Sequence, residues 1–208
     1  MIPTMIKLPN LSELSFTDED HIYRLNGVII PSVSAVMEPL SMAKYKGISE
    51  STLDRAANKG TSVHNAIENY IKFGIDDVPP EHRGYFDGFL DWLDEKKPVF
   101  VSSEFQCYHK LMMYGGTLDI LSYIGDKLTL TDVKTTYTIS EMTCRVQLEA
   151  YAQILASHGI YIEQKEILHL TPEGRGKKRY EDYPAKDAEA WRVFGSLKCV
   201  NDYIGRHK

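Results

Sequence analysis

GGTLDILSYIGDKLTLTDVKTT, residues 115–136, alternates apolar and polar side chains on two arms rich in Leu, Ile, Thr and Tyr. Gly125-Asp126 between the arms has the glycine-first composition of a two-residue type II′ turn, so the stretch predicts an antiparallel hairpin. A turn centred there pairs residues whose numbers add to 251, which sets Asp119 opposite Asp132. The side-chain bases of directly opposed residues lie roughly 5 Å apart, and like charges so placed repel unless something compensates. A divalent cation is one compensator. Lys134, two residues beyond Asp132 and so on the same strand face, is another. The hairpin alone leaves two readings: a metal site with an adjoining ammonium, or solvated charges on an edge hairpin softened by the lysine.

The chain has 208 residues, 43% of them hydrophobic and 25% charged, the composition of a soluble globular protein with one well-filled α/β or α+β domain. No apolar run approaches the length of a membrane span, and MIPTMIKLPN at the start lacks the layout of a secretory signal, so a cytoplasmic location with no membrane partner is expected. Three widely spaced cysteines, Cys107, Cys144 and Cys199, form no CxxC pair and predict neither a disulfide framework nor a zinc site, but reduced, buried thiols. A net charge of −5 argues against a protein that coats nucleic acid electrostatically. It leaves room for a nuclease, because clustered carboxylates at a metal site add negative charge that bound cations offset.

Outward from the hairpin, HIYRLNGVIIPSVSAVM predicts an Asn26-Gly27 hairpin followed by a helix entered at Pro31-Ser32. Helical patterns cover 51–59 and 62–73, with Thr61 or Ser62 as N-cap of the second and Gly74 as its stop. A helix after Pro79-Pro80 ends before Pro98, and strand-like VFVSSEFQCYH precedes the central hairpin. A helix over about 141–158, a strand within YIEQKEILHLT, the polar turn PEGRGKK and a helix over about 186–205 complete the chain. Helix, three strands, helix, strand is the order of a mixed sheet flanked by helices.

Four groups of residues are candidates to complete a site. His64 lies beside an apolar stripe of Val63, Ala66, Ile67 and Tyr70, and its imidazole either ligates a divalent metal, with Glu68 one turn on, or belongs to the core. Glu104 is on a strand that neighbours the hairpin, where it adds a ligand or remains a solvated strand-end charge. Gln147 and Tyr151, four apart on a helix, project from one side and suit a phosphate or a base, the alternative being simple packing. Arg175, Lys177, Lys178 and Arg179 form a basic strip between glycines that suits a phosphate backbone or merely solvent, and Tyr180 and Tyr183 are either stacking groups or edge-strand aromatics.

Taken together and in this order, GTSVH, Glu104, GTLD, DVKTT and QLEAYA resemble the RecB-like branch of the PD-(D/E)XK nucleases over roughly residues 56–170. The N-terminal HIYRLNGVIIPSVSAVM is similar to the start of phage exonucleases of this kind and of the mitochondrial genome maintenance exonuclease type. The resemblance implies a restriction-endonuclease-like αβββαβ core in a single nuclease domain over 1–208. Residues 1–55 would be an N-terminal hairpin and helices, 56–170 the core, and 171–208 a basic turn and C-terminal helix. It implies that His64, Asp119, Asp132 and the main-chain carbonyl of Val133 hold one or two Mg2+ or Mn2+ ions. Lys134 would be the catalytic lysine, Glu104 a further acidic residue of the site, and Gln147 and Tyr151 the groups that support it and meet DNA. GTLD stands where the family's literal Pro-Asp would, as is common in this branch.

The activity implied is a metal-dependent DNA exonuclease in phage replication, recombination or repair, within a phage-infected or bacterial cell. The alternatives are a structure-specific or restriction-like endonuclease and a catalytically silent nucleic-acid-binding protein; a small-molecule metal hydrolase is more distant. A helicase or annealing protein would be the partner besides DNA, since the chain has no Walker lysine loop. Three cysteines are too few for the four-cysteine iron-sulfur cluster of some relatives, so no cluster is expected.

Overall fold

The structure, a computed structural model, describes residues 6–174 and 180–207. The central hairpin forms as its turn chemistry requires. Gly125 takes φ 63°, and strands β5 (Gly115–Ile124) and β6 (Lys127–Lys134) pair from Ile124 with Lys127 up to Ile120 with Thr131. β4 (Val99–Tyr108) runs antiparallel along the other edge of β5, with a bulge between Phe100 and Ser102. Helix α5 (Glu141–Ser157) then carries the chain over the sheet to β7 (Gln164–His169), which lies parallel to β6 with Asp132 beside Ile167. An edge strand, β8 (Tyr180–Tyr183), pairs antiparallel with β7 and gives the order β4-β5-β6-β7-β8. Tyr180 and Tyr183 are thus edge-strand aromatics. The expected mixed α/β class with an αβββαβ core is present: among the described residues, six α-helices accompany this five-stranded sheet and a three-stranded one.

The second sheet, β1 (Leu14–Thr17), β2 (Ile22–Leu25) and β3 (Val28–Ile30), turns at Asn26-Gly27, both with positive φ as a type I′ turn needs. Ser32 then accepts from Ala35 N at 3.0 Å and caps the short helix α1 (Val33–Val36), as expected at Pro31-Ser32. The start of β5 receives this unit closely. Gly115 N donates to Pro31 O at 2.9 Å, and a Cβ on Gly115 would stand 2.9 Å from the Tyr23 ring. Helix α2 (Glu38–Tyr45) leads into α3 (Glu50–Phe73).

α3 corrects one expectation. It is a single helix of 24 residues with Ser49 at its N-cap, so Thr61 and Ser62 cap nothing and His64 stands mid-helix. Gly60 does not break it, a glycine in a helix interior costing only about 1 kcal/mol relative to alanine. The Ser62 hydroxyl instead bonds His82 Nδ1 at 2.9 Å, and Gly74 stops the helix at φ 69°, as its position implied. A 3-10 turn over Pro80–His82 opens α4 (Arg83–Lys96), and α6 (Ala188–Gly205) closes the chain. A second correction concerns the thiols: Cys107 and Cys144 are buried and free, but Cys199 is exposed.

β6 is buried at six consecutive positions, Leu128 to Val133, because both its faces are covered. Leu128 and Leu130 pack with α5 and Phe194 of α6, whereas Val133 packs with Val63 and Ile67 of α3 and with Phe86, Phe89 and Trp92 of α4. Two buried polar centres pin these layers. Glu166 accepts from Trp92 Nε1 and Thr131 Oγ1, each at 2.9 Å, and Glu149 pairs with the buried Lys165 while accepting from Asp187 N at 3.0 Å. Asp187 in turn caps α6 and takes a two-pronged contact from Arg145 at 2.7 and 3.0 Å. No described helix is long and apolar enough to cross a membrane.

Lys165→Met removes one member of a buried pair and strands the other charge, so unfolding should become easier by about 3–5 kcal/mol. Gly84→Ala should cost about 1–3 kcal/mol or more, since the new Cβ would meet the Pro172 carbonyl oxygen at 2.0 Å. Chemical denaturation with an unchanged m-value checks both.

Candidate metal centre

The site forms where β5 stops behaving as a regular strand. The β4–β5 register runs from Ser103 with Ile120 to Phe105 with Leu118 and skips Glu104 with Asp119. The β5–β6 ladder ends one position short of Asp119 with Asp132. Ile120 packs with α3 and α4, yet Leu118, two residues before it, joins the α5 cluster, so side-chain alternation breaks at Asp119. Glu104 opposite has φ 47°, a left-handed conformation that costs a non-glycine residue about 1–3 kcal/mol.

The opened ladder gives Asp119 its role. Its Oδ2 accepts from Val133 N at 2.7 Å, replacing a strand partner with a carboxylate. Asp119 and Asp132 are therefore not a facing ladder pair as the turn register implied, because Asp119 turns into the gap and Asp132 turns to Lys134. The ammonium of Lys134 lies 2.5 Å from Asp132 Oδ2, which has no other partner, so the same-face placement of these two residues holds.

Helix α3 supplies the third element. His64 Nε2 lies 3.2 Å from the Val133 carbonyl, which only accepts, so this nitrogen carries a hydrogen. Nδ1 lies 3.4 Å from Glu104 Oε1 and 3.7 Å from Asp119 Oδ1. One ligand atom each from His64, Glu104 and Asp119 falls within 4.8 Å of the others, and Asp132 is not in that group. An imidazole lone pair facing two carboxylates requires a positive charge between them: a proton on Nδ1, or a divalent cation bound by all three. The donor set, one imidazole and two carboxylates, fits a divalent cation.

Burial and neighbouring charges set the protonation states. Burial disfavours the His64 cation, but Asp119 and then Glu104 outweigh it and push the imidazole up to about 9. Burial raises Asp132 to about 6 against the pull of Lys134, and it raises Asp119 against the pull of His64. Lys134 goes up to about 12, because Asp132 and Asp119 overcome its own burial.

Tyr151 is buried under the site, its hydroxyl pushed well up first by burial and then by Asp132 and Asp119, and Gln147 Nε2 lies 3.4 Å from its oxygen. Gly116 makes room for that ring, since a Cβ there would stand 2.6 Å from Tyr151 Cε1. The structure thus brings together His64, Glu104, Asp119, Asp132, Val133 and Lys134, with Gln147 and Tyr151 behind them. Glu68 pairs instead with Lys72. Arg175, Lys177, Lys178 and Arg179 lie outside the described residues.

Sequence reasoning did not single out two residues that hold the segment leaving β6, Lys59 and His169. Lys59 Nζ donates to Thr135 O at 2.8 Å and to Tyr85 Oη at 3.1 Å, and His169 Nε2 donates to Thr136 O at 2.7 Å.

No protein-family model matches the sequence, and no curated protein is detectably similar to it. Among solved structures, the chain is similar to an alkaline exonuclease, LHK-Exo from Laribacter hongkongensis, with TM-score 0.42, 14% identity and coverage of 85% of this chain and 91% of that one. The same enzyme in complex with dAMP gives TM-score 0.42 and 12% identity over 86% and 92% of the two chains. SSO0001 gives TM-score 0.34 and 14% identity over 67% and 74%. At TM-scores this low, the likeness assigns neither an activity nor a ligand to this chain.

The His64 arrangement yields a pH signature. Its pKa in the folded protein lies above the ordinary 6.5, so its contribution to stability is full below 6.5 and lost as pH rises through about 9. Metal-free protein should lose roughly 1–3 kcal/mol across that window, and His64→Gln should flatten the curve. Stabilisation by Mn2+ should grow over the same range, as the metal displaces the proton. Thermal melts with chelator and with Mn2+ measure both slopes.

Proposed function

We propose that this chain is a metal-dependent DNA nuclease, and specifically an exonuclease that works from ends. The observation that carries the reading is the meeting of His64, Glu104 and Asp119 from three separate elements, next to the buried Asp132-Lys134 pair. Evenly spread surface charge would not gather two carboxylates around one imidazole. Nor would it keep an ammonium and a carboxylate buried beside them.

His64, Asp119 and Glu104 would hold a divalent cation; Asp132 and the Val133 carbonyl, expected as ligands, would join the set only on turning away from Lys134 and from His64 Nε2. A bound Mg2+ or Mn2+ supplies a polarised phosphate and a water acidified toward neutrality. Lys134, held cationic by Asp132 and Asp119, is no base near neutral pH. Its role is to donate to the attacking water or to the oxygens on which negative charge accumulates. Asp132 is an anion at neutral pH and orients that ammonium. From α5, the half-buried Gln147 would meet the DNA strand while the buried Tyr151 supports the site from beneath, with Arg175, Lys177, Lys178 and Arg179 as further phosphate contacts.

The whole of 1–208 would act as one nuclease unit in the cytoplasm of a phage-infected or bacterial cell. A helicase or annealing protein would supply any strand separation. Imidazole ligation favours Mn2+ relative to an all-oxygen site.

The test is digestion of linear single-stranded, linear double-stranded and closed circular DNA, with Mg2+, Mn2+ or chelator, by wild type and Lys134→Ala. Loss of linear forms alone, with metal, and a fall of about 10²- to 10³-fold in the variant is the expected result. Nicked or cut circles would replace the exonuclease by an endonuclease, and inert protein that still binds DNA would replace both by a silent binder.

A further inference from the structure

Tyr137 has 97% of its surface in solvent, the highest value among the exposed large apolar residues described. Its backbone neighbourhood is nonetheless held from two directions and by one bond within the segment. Lys59 donates to Thr135 O at 2.8 Å, His169 to Thr136 O at 2.7 Å, and Thr136 Oγ1 to Thr138 O at 3.0 Å. A pinned segment thus presents an aromatic ring to water, an arrangement that adds nothing to burial and so nothing to folding. Leu111, Phe73 and Tyr161 are also largely exposed, but none of them follows the strand that carries Asp132 and Lys134.

Tyr137 lies three positions beyond Lys134, at most about 11 Å from Cα to Cα. Stacked nucleotides advance about 3.4 Å each, so that reach spans about three of them. Inside a duplex both faces of a base are already covered, whereas an unpaired base offers a free face to an aromatic ring. The chain's net charge of −5 limits what general attraction to phosphates can supply, which leaves stacking a larger share of the hold on a strand. We propose that Tyr137 is a stacking platform for one unpaired base of the DNA strand, within a few nucleotides of the phosphate cut at the metal centre. This rests on the nuclease reading and adds to it a single-stranded segment at the site.

The experiment measures binding of a labelled single-stranded oligonucleotide by anisotropy in chelator, so that hydrolysis does not compete. Wild type, Tyr137→Ala and Tyr137→Trp are compared on the intact strand and on strands with one abasic residue stepped along them. Tyr137→Ala should weaken binding of the intact strand about 5- to 150-fold, with the deficit persisting at high salt, and Tyr137→Trp should restore it. An abasic residue at one position should weaken wild type by a similar factor and leave Tyr137→Ala no weaker still. Equal binding by wild type and Tyr137→Ala, or an abasic penalty shared by both, overturns the platform.

Digestion of linear DNA in parallel separates this from the parent reading. Cleavage by wild type together with unchanged binding by Tyr137→Ala removes the platform alone. Binding without cleavage removes the nuclease reading, and the comparison of variants still decides the platform. Neither binding nor cleavage by wild type overturns both.

Discussion

The interruption of both β-ladders at Asp119 is the constraint on which the site depends. A strand that kept its alternation there would hold the carboxylate in register against Glu104 on one side and Asp132 on the other, with repulsion along both edges. Opening the ladder lets Asp119 take the Val133 N–H and lets His64 reach the Val133 carbonyl, so one residue of β6 is gripped on both sides by a carboxylate and an imidazole. The backbone groups released by the break are thereby satisfied by side chains that also form the candidate metal centre. Structural repair and chemical function use the same atoms.

Such an arrangement stores unfavourable terms: a left-handed Glu104, a raised Asp132, two carboxylates around one imidazole. The surrounding layers sustain them. β6 is buried from both sides, α3 and α4 lock onto it through Val133 and the Trp92-Glu166 contact, and α5 is fixed by Glu149 with Lys165. The Asp187 cap extends that fixation to α6, so the helix carrying Gln147 and Tyr151 cannot shift without breaking a buried charge pair.

Much of this was legible in the residues. The hairpin turn, the type I′ turn at Asn26-Gly27, the Gly74 stop and the order of helices and strands follow from local chemistry that the final fold does not override. The break at Asp119 was not legible, since TLDILSY alternates well enough to read as a regular strand and only three-dimensional packing moves Leu118 to the α5 side. The two helical patterns over 51–59 and 62–73 proved to be one helix, since Gly60 and its polar neighbours lower helix propensity locally without ending it. Lys59 and His169 act on carbonyls far away in sequence, which no pattern of spacing reveals.

Helix α3 is unevenly anchored. Its buried residues are Val63, Ala66 and Ile67, whereas residues 50–58 are exposed apart from the half-buried Leu53. Amide protons along it should therefore exchange on two timescales, fast in the first turns through local fraying and slow after Val63. Lys59 and His64 straddle the boundary between the two regimes. The imidazole thus belongs to the rigid half, while the ammonium that grips Thr135 belongs to the turn through which any fraying must end.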